Sequence, residues 1–277
     1  MTDQPAAVPP PTPSVPPSGR SGAVLGAPGT GVLVTGGGSG IGRATAVALA
    51  EVGRPVAVWD LDGPGAEETV DRCRALGVAA HAAVVDVADS AAVPDQVAAA
   101  ASALGSLGGF VHAAGVSGAA LVDDVDDAVL DATLAVNLRA AAVISRYLLE
   151  PFRAAGPGSS AVLVSSIEGF FGSSMLTAYC ASKAGVLGLM RSLAQRFATE
   201  GFRVNAVCPG AVATPMLEPA LALPGFREHV EERTPLGRIS SPEEIAGPIR
   251  FLLSSEASFI TGTHLTIDGG MTAVTAI

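Results

Sequence analysis

Tyr179 and Lys183 are of the types, and stand at the spacing, that could move a proton to or from a substrate oxygen. Residues four apart share one face of a helix, because an α-helix has about 3.6 residues per turn. A free tyrosine has a pKa of about 10, and we predict that the Lys183 ammonium lowers the pKa of Tyr179. Tyr179 would then accept a proton from an alcohol, or donate one to a ketone, in concert with hydride transfer. Ser166 closes a predicted strand, where its hydroxyl can hold the substrate oxygen beside Tyr179.

A second chemical signal lies near the start of the chain, where a hydrophobic run passes into a glycine cluster. The segment reads Val32-Leu-Val-Thr-Gly36-Gly-Gly-Ser39-Gly40-Ile41-Gly42. Glycines let a backbone turn tightly and approach a pyrophosphate, whose charge the amides at a helix N-terminus stabilise. Because a strand pattern precedes the cluster and a helix pattern follows it, we predict a phosphate-binding loop.

Asp60 ends the second predicted strand and indicates which dinucleotide would bind. A carboxylate there can accept hydrogen bonds from both hydroxyls of the adenosine ribose and would repel a 2′-phosphate. Ser39 and Leu61 are uncharged where a 2′-phosphate would need Arg or Lys, so we predict NAD. The alternative is that Asp60 only caps the following loop and that Arg43 or Arg54 reaches a phosphate.

Asp86 and Val87 stand at the end of the third predicted strand. Asp86 could accept a hydrogen bond from the adenine amino group, although an aspartate at this place could equally form a turn.

Strand and helix patterns alternate from residue 31 onward. Several strand candidates are continuous apolar runs, as expected for strands covered on both faces. The predicted strands are Gly31–Thr35, Pro55–Trp59, Ala80–Val85, Gly109–His112, Ala161–Ser165, Arg203–Val207 and His264–Ile267. The helical stretches between them include Ile41–Val52, Ala91–Leu104, Asp126–Ala154, Leu176–Glu200 and Pro242–Ser254. This alternation predicts an α/β fold with a single doubly wound Rossmann-type parallel sheet and helices on both faces.

The first 28 residues differ from the rest, because prolines stand among Ser, Gly and Ala with few large apolar residues. We predict a disordered Pro-rich tail over residues 1–28 and one Rossmann-type domain over residues 29–277. The alternative for the tail is a docking peptide for a proline-recognition module.

Composition excludes several classes of protein. The chain has 277 residues, 49% of them hydrophobic, and a formal net charge of -10. This composition is unlike that of a disordered protein, and the negative charge disfavours nucleic acid and anionic lipid. The uncharged stretch Gln96–Val122 is rich in Ala and Gly, so we predict a helix end, a turn and a strand rather than a membrane span. Without a visible signal peptide, and with three scattered cysteines, the chain is predicted to be soluble and cytoplasmic.

We predict no metal site. His81, His229 and His264 form no set with metal-ligand spacing. Five aspartates between positions 123 and 131 crowd the start of a helix, where carboxylates cap free amides and complement the helix dipole.

Taken together, these motifs resemble those of the short-chain dehydrogenase/reductase family. The run from Thr35 to Gly42 is similar to its TGxxxGxG signature, and Ser166 followed by Tyr179-Cys-Ala-Ser-Lys183 is similar to its catalytic core. Further matches are Asn137 in Val-Asn-Leu-Arg, the PGxxxT-like segment from Pro209 to Thr214, and the pair Ile260-Thr-Gly262 and Asp268-Gly-Gly270. They occur in family order and cover residues 30–272.

The resemblance implies a role for each matching residue. Tyr179 would be the acid/base, Lys183 would lower its pKa and hold the nicotinamide ribose, Ser166 would polarise the substrate oxygen, and Asn137 would position a relay water. The implied cofactor-binding residues are Gly36, Ser39, Gly40, Ile41, Gly42, Asp60, Leu61, Asp86, Val87, Ala114, Gly115, Tyr179, Lys183, Pro209, Gly210, Val212 and Thr214. The family also implies a homotetramer, with the helices Asp126–Ala154 and Leu176–Glu200 packing across a two-fold axis.

One segment departs from the family pattern. Where the family often has Asn-Asn-Ala-Gly, this chain has His112-Ala-Ala114-Gly115. Ala114 and Gly115 keep a small surface under the adenosine, but the asparagine amide is missing. Because His112 lies within a strand, we predict a hydrogen-bonded core residue rather than a catalyst.

The predicted function is oxidoreduction between NAD(H) and a secondary alcohol or ketone. Apolar residues after Ser166 and after Thr214 favour an apolar or cyclic substrate over a sugar, unless they only pack a lid and subunit contacts. Glu168 could touch a polar substrate group or simply face solvent. The alternatives are an NADPH-dependent 3-oxoacyl-thioester reductase and a catalytically idle, nucleotide-bound interaction protein.

Overall fold

The computed structural model describes residues 29–274, and all of the strands in that range belong to one parallel sheet. The predicted tail, residues 1–28, lies outside the described residues. The strand order is β3-β2-β1-β4-β5-β6-β7. The strands are β1 (Gly31–Thr35), β2 (Val56–Asp60), β3 (Ala80–Val84), β4 (Leu107–His112), β5 (Ser160–Val164), β6 (Arg203–Pro209) and β7 (His264–Ile267).

Helices connect the strands and cover both faces of the sheet. They are α1 (Gly40–Ala50), α2 (Gly63–Ala75), α3 (Val93–Leu104), α4 (Asp127–Leu134), α5 (Ala140–Tyr147), α6 (Leu149–Ala155), α7 (Thr177–Ala198), α8 (Glu218–Leu221), α9 (Phe226–Arg233) and α10 (Pro242–Leu253). A π-helical turn (Ala135–Arg139) joins α4 to α5, and short 3-10 turns cover Ile167–Gly169 and Ser255–Ala257. The predicted fold class is confirmed.

The side chains of the central strands divide between two apolar cores. Val32 and Val34 of β1 pack with α1, α2 and α10 on one face of the sheet. Leu33 packs on the other face with α3, α5 and α7. Alternate residues of one strand point to opposite faces, so a strand buried on both sides must be apolar throughout. That requirement explains the continuous hydrophobic runs in the sequence.

The strand order reverses between β1 and β4, which are neighbours in the sheet but far apart in the chain. Thr35 and His112 face each other in the register of this pair. Open parallel sheets bind ligands beyond the carboxyl ends of their strands at such a reversal. A ligand is therefore expected to bind beside the loops that follow β1 and β4.

The largest difference from the predicted elements concerns Asp126–Ala154, predicted as one helix. The structure divides this stretch into α4, the π-helical turn, α5 and α6. The segment Asp127–Tyr147 is long and apolar enough, by length and composition, to cross a membrane. In the fold, however, it packs against α7, and its residues Asn137 and Ile144 are buried. The stretch Gln96–Val122 forms the end of α3, β4 and the following loop, as predicted.

Candidate active site

The glycine-rich loop between β1 and α1 has room for a ligand because it lacks side chains. Gly36 has a φ of +65°, and a Cβ atom there would lie 2.6 Å from the Ala114 backbone. At Gly42 a Cβ would lie 2.1 Å from the Gly36 carbonyl oxygen, so a larger residue would displace the loop. Gly40, with a φ of +48°, lies against the Thr214 side chain. Ser39, which is exposed, and Ile41 stand in the same turn, at the start of α1.

The Asp60 carboxylate is fixed beside this loop. Its Oδ2 accepts a hydrogen bond from the Gly38 amide at 2.8 Å, and its Oδ1 accepts one from the Asp62 amide at 2.9 Å. Each carboxylate oxygen can accept more than one hydrogen bond, so both keep capacity for a ribose hydroxyl. Asp60 thus caps its loop, as one reading of the sequence held, and remains able to bind a ligand. Leu61 beside it is 68% exposed.

The two arginines considered as phosphate ligands are engaged elsewhere. Arg54 is buried and donates to the carbonyls of Thr30 and Leu253, at the amino end of the strands. The alternative in which Arg54 reaches a phosphate is therefore wrong. Arg43 donates to the Gly38 carbonyl and forms an ion pair with Glu68 at 2.9 Å, which commits much of its guanidinium to the chain itself.

The remaining cofactor candidates surround the same edge of the sheet. Asp86 is exposed and its Oδ1 accepts a hydrogen bond from the Ala88 amide at 2.8 Å, so it does form a turn, while Val87 is buried. Pro209 ends β6, and the Gly210 amide donates to Ile267 of β7. Further along the loop, Val212 is buried and Thr214 reaches Gly40.

These features fit a dinucleotide. The glycine turn exposes the first amides of α1 to a pyrophosphate, and the neighbouring Asp60 can accept from ribose hydroxyls. A Cβ at Gly115 would lie 3.2 Å from Asn137 Oδ1 and 3.5 Å from Lys183 Nζ. Gly115 therefore connects the nucleotide side of the cleft with the residues predicted to do chemistry.

Tyr179 and Lys183 lie one turn apart near the start of α7, with the Lys183 ammonium 5.4 Å from the centre of the Tyr179 ring. Lys183 Nζ donates a hydrogen bond to the Val164 carbonyl at 2.9 Å. Burial lowers the pKa of Lys183 to about 8, although the neighbouring Cys208 opposes that shift. The pair is therefore adjacent, as its spacing predicted.

The predicted lowering of the Tyr179 pKa is wrong for this chain. Burial raises the pKa of Tyr179 to about 12, a hydrogen bond with Ser166 acts in the opposite direction, and the charge of Glu168 adds to the rise. The Lys183 ammonium lies over the ring face and is bound to a carbonyl, so it does not overcome the cost of burying a phenolate. Helical spacing places two side chains together but does not reveal how dry their surroundings are.

Ser166 lies directly after β5, where it caps a short 3-10 turn. Its Oγ accepts a hydrogen bond from the Glu168 amide at 3.2 Å, and its side chain is close enough to Tyr179 to oppose the rise in the pKa of that phenol. Glu168 is itself half-buried, and its Oε2 lies 3.5 Å from the thiol sulfur of Cys180. Strand end and helix start thus bring Ser166 and Tyr179 together at the carboxyl edge of the sheet.

Asn137 lies within the π-helical turn and is fully buried. Its amide nitrogen donates to the Val116 carbonyl at 3.0 Å and to Ser182 Oγ at 2.9 Å, and its oxygen accepts from the Val116 amide. The side chain therefore ties the loop after β4 to α7. A π-helical turn shifts backbone carbonyls out of the regular α-helical pattern, and such turns are frequent at functional sites.

His112 has a structural role, as predicted, and it supports this turn. Its ring is fully buried, with Nδ1 3.0 Å from Thr35 Oγ1 and Nε2 3.1 Å from the Val136 carbonyl. Because a carbonyl can only accept, Nε2 carries the proton and Nδ1 accepts from Thr35. No sequence pattern indicates the partner Val136, which becomes a neighbour of His112 only through the fold.

The buried ring makes stability depend on pH. Burial lowers the pKa of His112 to about 4. Between this value and the unfolded pKa of about 6.5, the unfolded chain binds more protons, so the free energy of unfolding falls as pH falls through this window. We expect that, relative to a His112→Asn variant, the protein loses about 2–3 kcal/mol between pH 7 and pH 4.5. Urea unfolding of both proteins at equal concentration measures this difference, and parallel pH dependences would contradict the assignment.

Comparison with known proteins agrees with this arrangement. Residues 36–272 match a family model described as "Enoyl-(Acyl carrier protein) reductase". A relative from Sinomonas cyclohexanicum, named cis-4-hydroxycyclohexanecarboxylate dehydrogenase, is 41% identical over 247 residues, which cover 87% of this chain and 96% of the relative. L-rhamnose 1-dehydrogenase (NAD(P)(+)) of Sphingomonas sp. (strain SKA58) is 40% identical over 242 residues, covering 87% and 95%.

A solved structure extends the comparison from sequence to fold. The crystal structure of levodione reductase superposes with a TM-score of 0.84 at 34% identity, covering 89% of this chain and 98% of that one. The motifs in the sequence agree with the structure in three respects: the sheet order, the glycine loop, and the arrangement of Ser166, Tyr179 and Lys183. The chain belongs to the short-chain dehydrogenase/reductase family.

Proposed function

We propose that this protein is an NAD-dependent alcohol dehydrogenase/ketone reductase that interconverts an apolar or cyclic secondary alcohol and its ketone. One observation carries the proposal. Ser166, Tyr179 and Lys183 converge at the carboxyl edge of the sheet, on the same side as the glycine-rich loop and next to Gly115. In this reaction one alcohol loses both its hydroxyl proton and the hydride on its carbinol carbon. The proton-transferring group must therefore lie next to the dinucleotide site.

Each residue has a defined part in this mechanism. The Ser166 hydroxyl binds the substrate oxygen, and Tyr179 takes the alcohol proton or returns it to the ketone. Lys183, one turn away, holds the nicotinamide ribose and supplies positive charge near the phenol. Asn137 stabilises the π-helical turn, which would hold the proposed relay water. When bound, the nicotinamide supplies the hydride acceptor or donor, and in its oxidised form a positive charge.

The protonation state of Tyr179 predicts how the rates of alcohol oxidation and ketone reduction depend on pH. With a pKa of about 12, the phenol is protonated at neutral pH, which suits donation to a ketone. We expect kcat/KM for alcohol oxidation to rise with pH from 7 to about 9.5, since oxidation needs the phenolate, while kcat/KM for ketone reduction does not rise over this range. Initial rates in both directions, followed by nicotinamide absorbance, test this. An oxidation rate independent of pH would contradict Tyr179 as the base.

The walls around these residues support an apolar or cyclic substrate. Phe170 and Phe171 follow Ser166 and are each 47% exposed, Met175 is 56% exposed, and Met216 follows Thr214 and is 46% exposed. The relatives whose names include a hydroxycyclohexane acid and levodione add to this argument. A panel of secondary alcohols with NAD is the direct test, and failure of every member despite measurable NADH binding would favour the idle interaction protein instead.

The 3-oxoacyl-thioester reductase remains the rival enzyme. It would prefer NADPH, whereas Asp60 and the uncharged Ser39 and Leu61 favour NAD. Turnover of a 3-oxoacyl thioester with NADPH that exceeds every NADH-linked ketone reduction would decide for the rival.

We also propose a cytoplasmic homotetramer. The three cysteines are free thiols, which suits a reducing compartment. On α7 the small residues Ala181 and Ala184 are exposed, although Gly185 packs against Leu138 of its own chain rather than awaiting a partner. We expect light scattering to give four times the chain mass of 27.5 kDa, about 110 kDa, because closed symmetric assemblies bury such faces. A mass near that of one chain would contradict the tetramer.

A further inference from the structure

Glu168 lies between Ser166 and the residue that follows Tyr179. Its amide donates to Ser166 Oγ at 3.2 Å, and its Oε2 lies 3.5 Å from the sulfur of Cys180, the residue after Tyr179. The backbone is held by the 3-10 turn Ile167–Gly169. The backbone of Glu168 therefore lies next to Ser166, and its half-buried carboxylate lies next to the residue that follows Tyr179.

Few groups of the protein stabilise the negative charge of the Glu168 carboxylate. Within residues 29–274, none of the ion pairs involves Glu168, and the Cys180 thiol is only a weak hydrogen-bond donor. Burial raises the pKa of Glu168, opposed by the thiol and by the charge of Arg233. A carboxylate can accept about four hydrogen bonds, so most of the acceptor capacity of Glu168 is not used by the residues that the structure describes.

Its charge also reaches the reacting group. The negative charge of Glu168 contributes to the raised pKa of Tyr179, which places the carboxylate within electrostatic range of the phenol. The half-exposed rings of Phe170 and Phe171 follow Glu168 in the chain after Gly169. A single acidic acceptor close to exposed apolar side chains is a pattern that selects one polar group on a mainly apolar ligand.

We propose that Glu168 determines substrate specificity by accepting a hydrogen bond from a second hydroxyl of the substrate, next to the carbon that reacts. The inference rests on the proposed function and narrows its substrate class to neutral cyclic diols and hydroxyketones. The same carboxylate repels substrates with an anionic group beside the reacting carbon. Proton and hydride transfer remain as described, and Glu168 takes no proton in the reaction.

Three substrates separate these effects: cyclohexanol, 1,2-cyclohexanediol and 2-hydroxycyclohexanecarboxylate. In the wild-type protein we expect kcat/KM for the diol to exceed that for cyclohexanol by about 10–100-fold, the range for a hydrogen bond to a charged group. The Glu168→Met variant keeps the length of the side chain but offers only a weak thioether acceptor. In this variant the ratio of kcat/KM for the diol to kcat/KM for cyclohexanol should therefore fall to about 1. Glu168→Gln keeps an acceptor oxygen and should retain part of the preference while admitting the anionic substrate.

A matched control exists in the same chain. Glu256 lies in the 3-10 turn Ser255–Ala257, and its amide donates to Ser254 Oγ at 3.2 Å, as the Glu168 amide does to Ser166. Because Glu256 follows α10, away from the cleft, Glu256→Gln should leave all three kcat/KM values unchanged. Thermal unfolding and NADH binding of every variant show whether it is folded.

One further readout separates specificity from a merely structural role. With cyclohexanol, which has no second hydroxyl, Glu168→Gln should move the pH dependence of oxidation to lower pH, because the negative charge near Tyr179 is gone. An unchanged diol-to-cyclohexanol ratio in Glu168→Met, or a parallel loss for all substrates, would overturn the inference and leave the proposed function intact. A wild-type protein that oxidises none of the three substrates, and reduces none of their ketones, would overturn the proposed function itself.

Discussion

A Tyr179→Phe variant is expected to lose at least about 1000-fold in kcat, within the range measured for removal of a general acid or base. Phenylalanine keeps the ring beside Lys183 and removes only the hydroxyl on the side of Ser166. The glycine loop and Asp60 are untouched, so the Kd for NADH should change by less than about 3-fold. Steady-state turnover of an active alcohol, with NADH binding followed by fluorescence, measures both quantities.

The other tyrosine of the chain is the matched control. Tyr147 ends α5 and lies beside Arg146, away from the loops that follow β1 and β5. Tyr147→Phe should therefore retain turnover within about 2-fold, as most changes outside the site do. Retention of more than a few per cent of activity in Tyr179→Phe would refute the assignment of the proton-transferring group.

The strands were predictable because burial on both faces demands an apolar run, which the sequence displays directly. The bounds of β1 and β7 match the prediction, and the other strands differ by one or two residues at an end, because backbone pairing, not hydropathy, determines where a strand stops. Asp60 is polar and was placed at the edge of β2, yet it pairs with Val84 in the sheet. Pro55 was predicted within the same strand but lies before it, since a proline has no amide to donate.

The helices were harder to predict from the sequence than the strands. Helix α2 was not among the predicted elements, because Gly63 and Pro64 at its start disguise a segment whose Ala66 and Val70 are buried against the sheet. The π-helical turn cannot be seen in a helical periodicity. One of the contacts made to it comes from a distant part of the chain, where His112 of β4 donates to the Val136 carbonyl. Interactions between residues far apart in the chain cannot be seen in a local pattern.

The relative positions of the proposed site residues were better predicted than their electrostatics. Motif spacing placed Ser166 and Tyr179 correctly together, because both stand at element ends that the parallel fold brings to one edge. The direction of the pKa shift at Tyr179 was wrong, because it depends on the loss of water around the ring, which no spacing encodes. The partner Ser182, which anchors Asn137, was missed for the same reason that Val136 was.

Exchange of Asp60, the last residue of β2, together with Leu61 should invert the cofactor preference. In an Asp60→Ser, Leu61→Arg double variant, the carboxylate that would face a 2′-phosphate is removed and a guanidinium is added at an exposed position. Two charges about 4 Å apart near a protein surface interact by about 1–4 kcal/mol, so reversing one such interaction changes relative affinity by about 100-fold or more. We expect kcat/KM to change from favouring NADH to favouring NADPH, as measured with one ketone and both cofactors.

The neighbouring carboxylate tests whether position, rather than total charge, sets this preference. Asp62 is exposed and lies against Gly65 at the start of α2, while Asp60 is bound to the glycine-loop amide of Gly38. Asp62→Asn removes the same charge as the Asp60 change but leaves the acceptor beside the loop in place. Because solvent screens an exposed charge, the NADH-to-NADPH ratio should change by less than about 5-fold in this variant. Equal effects at both positions would mean that the chain discriminates by its overall negative field, and that Asp60 does not bind the ribose.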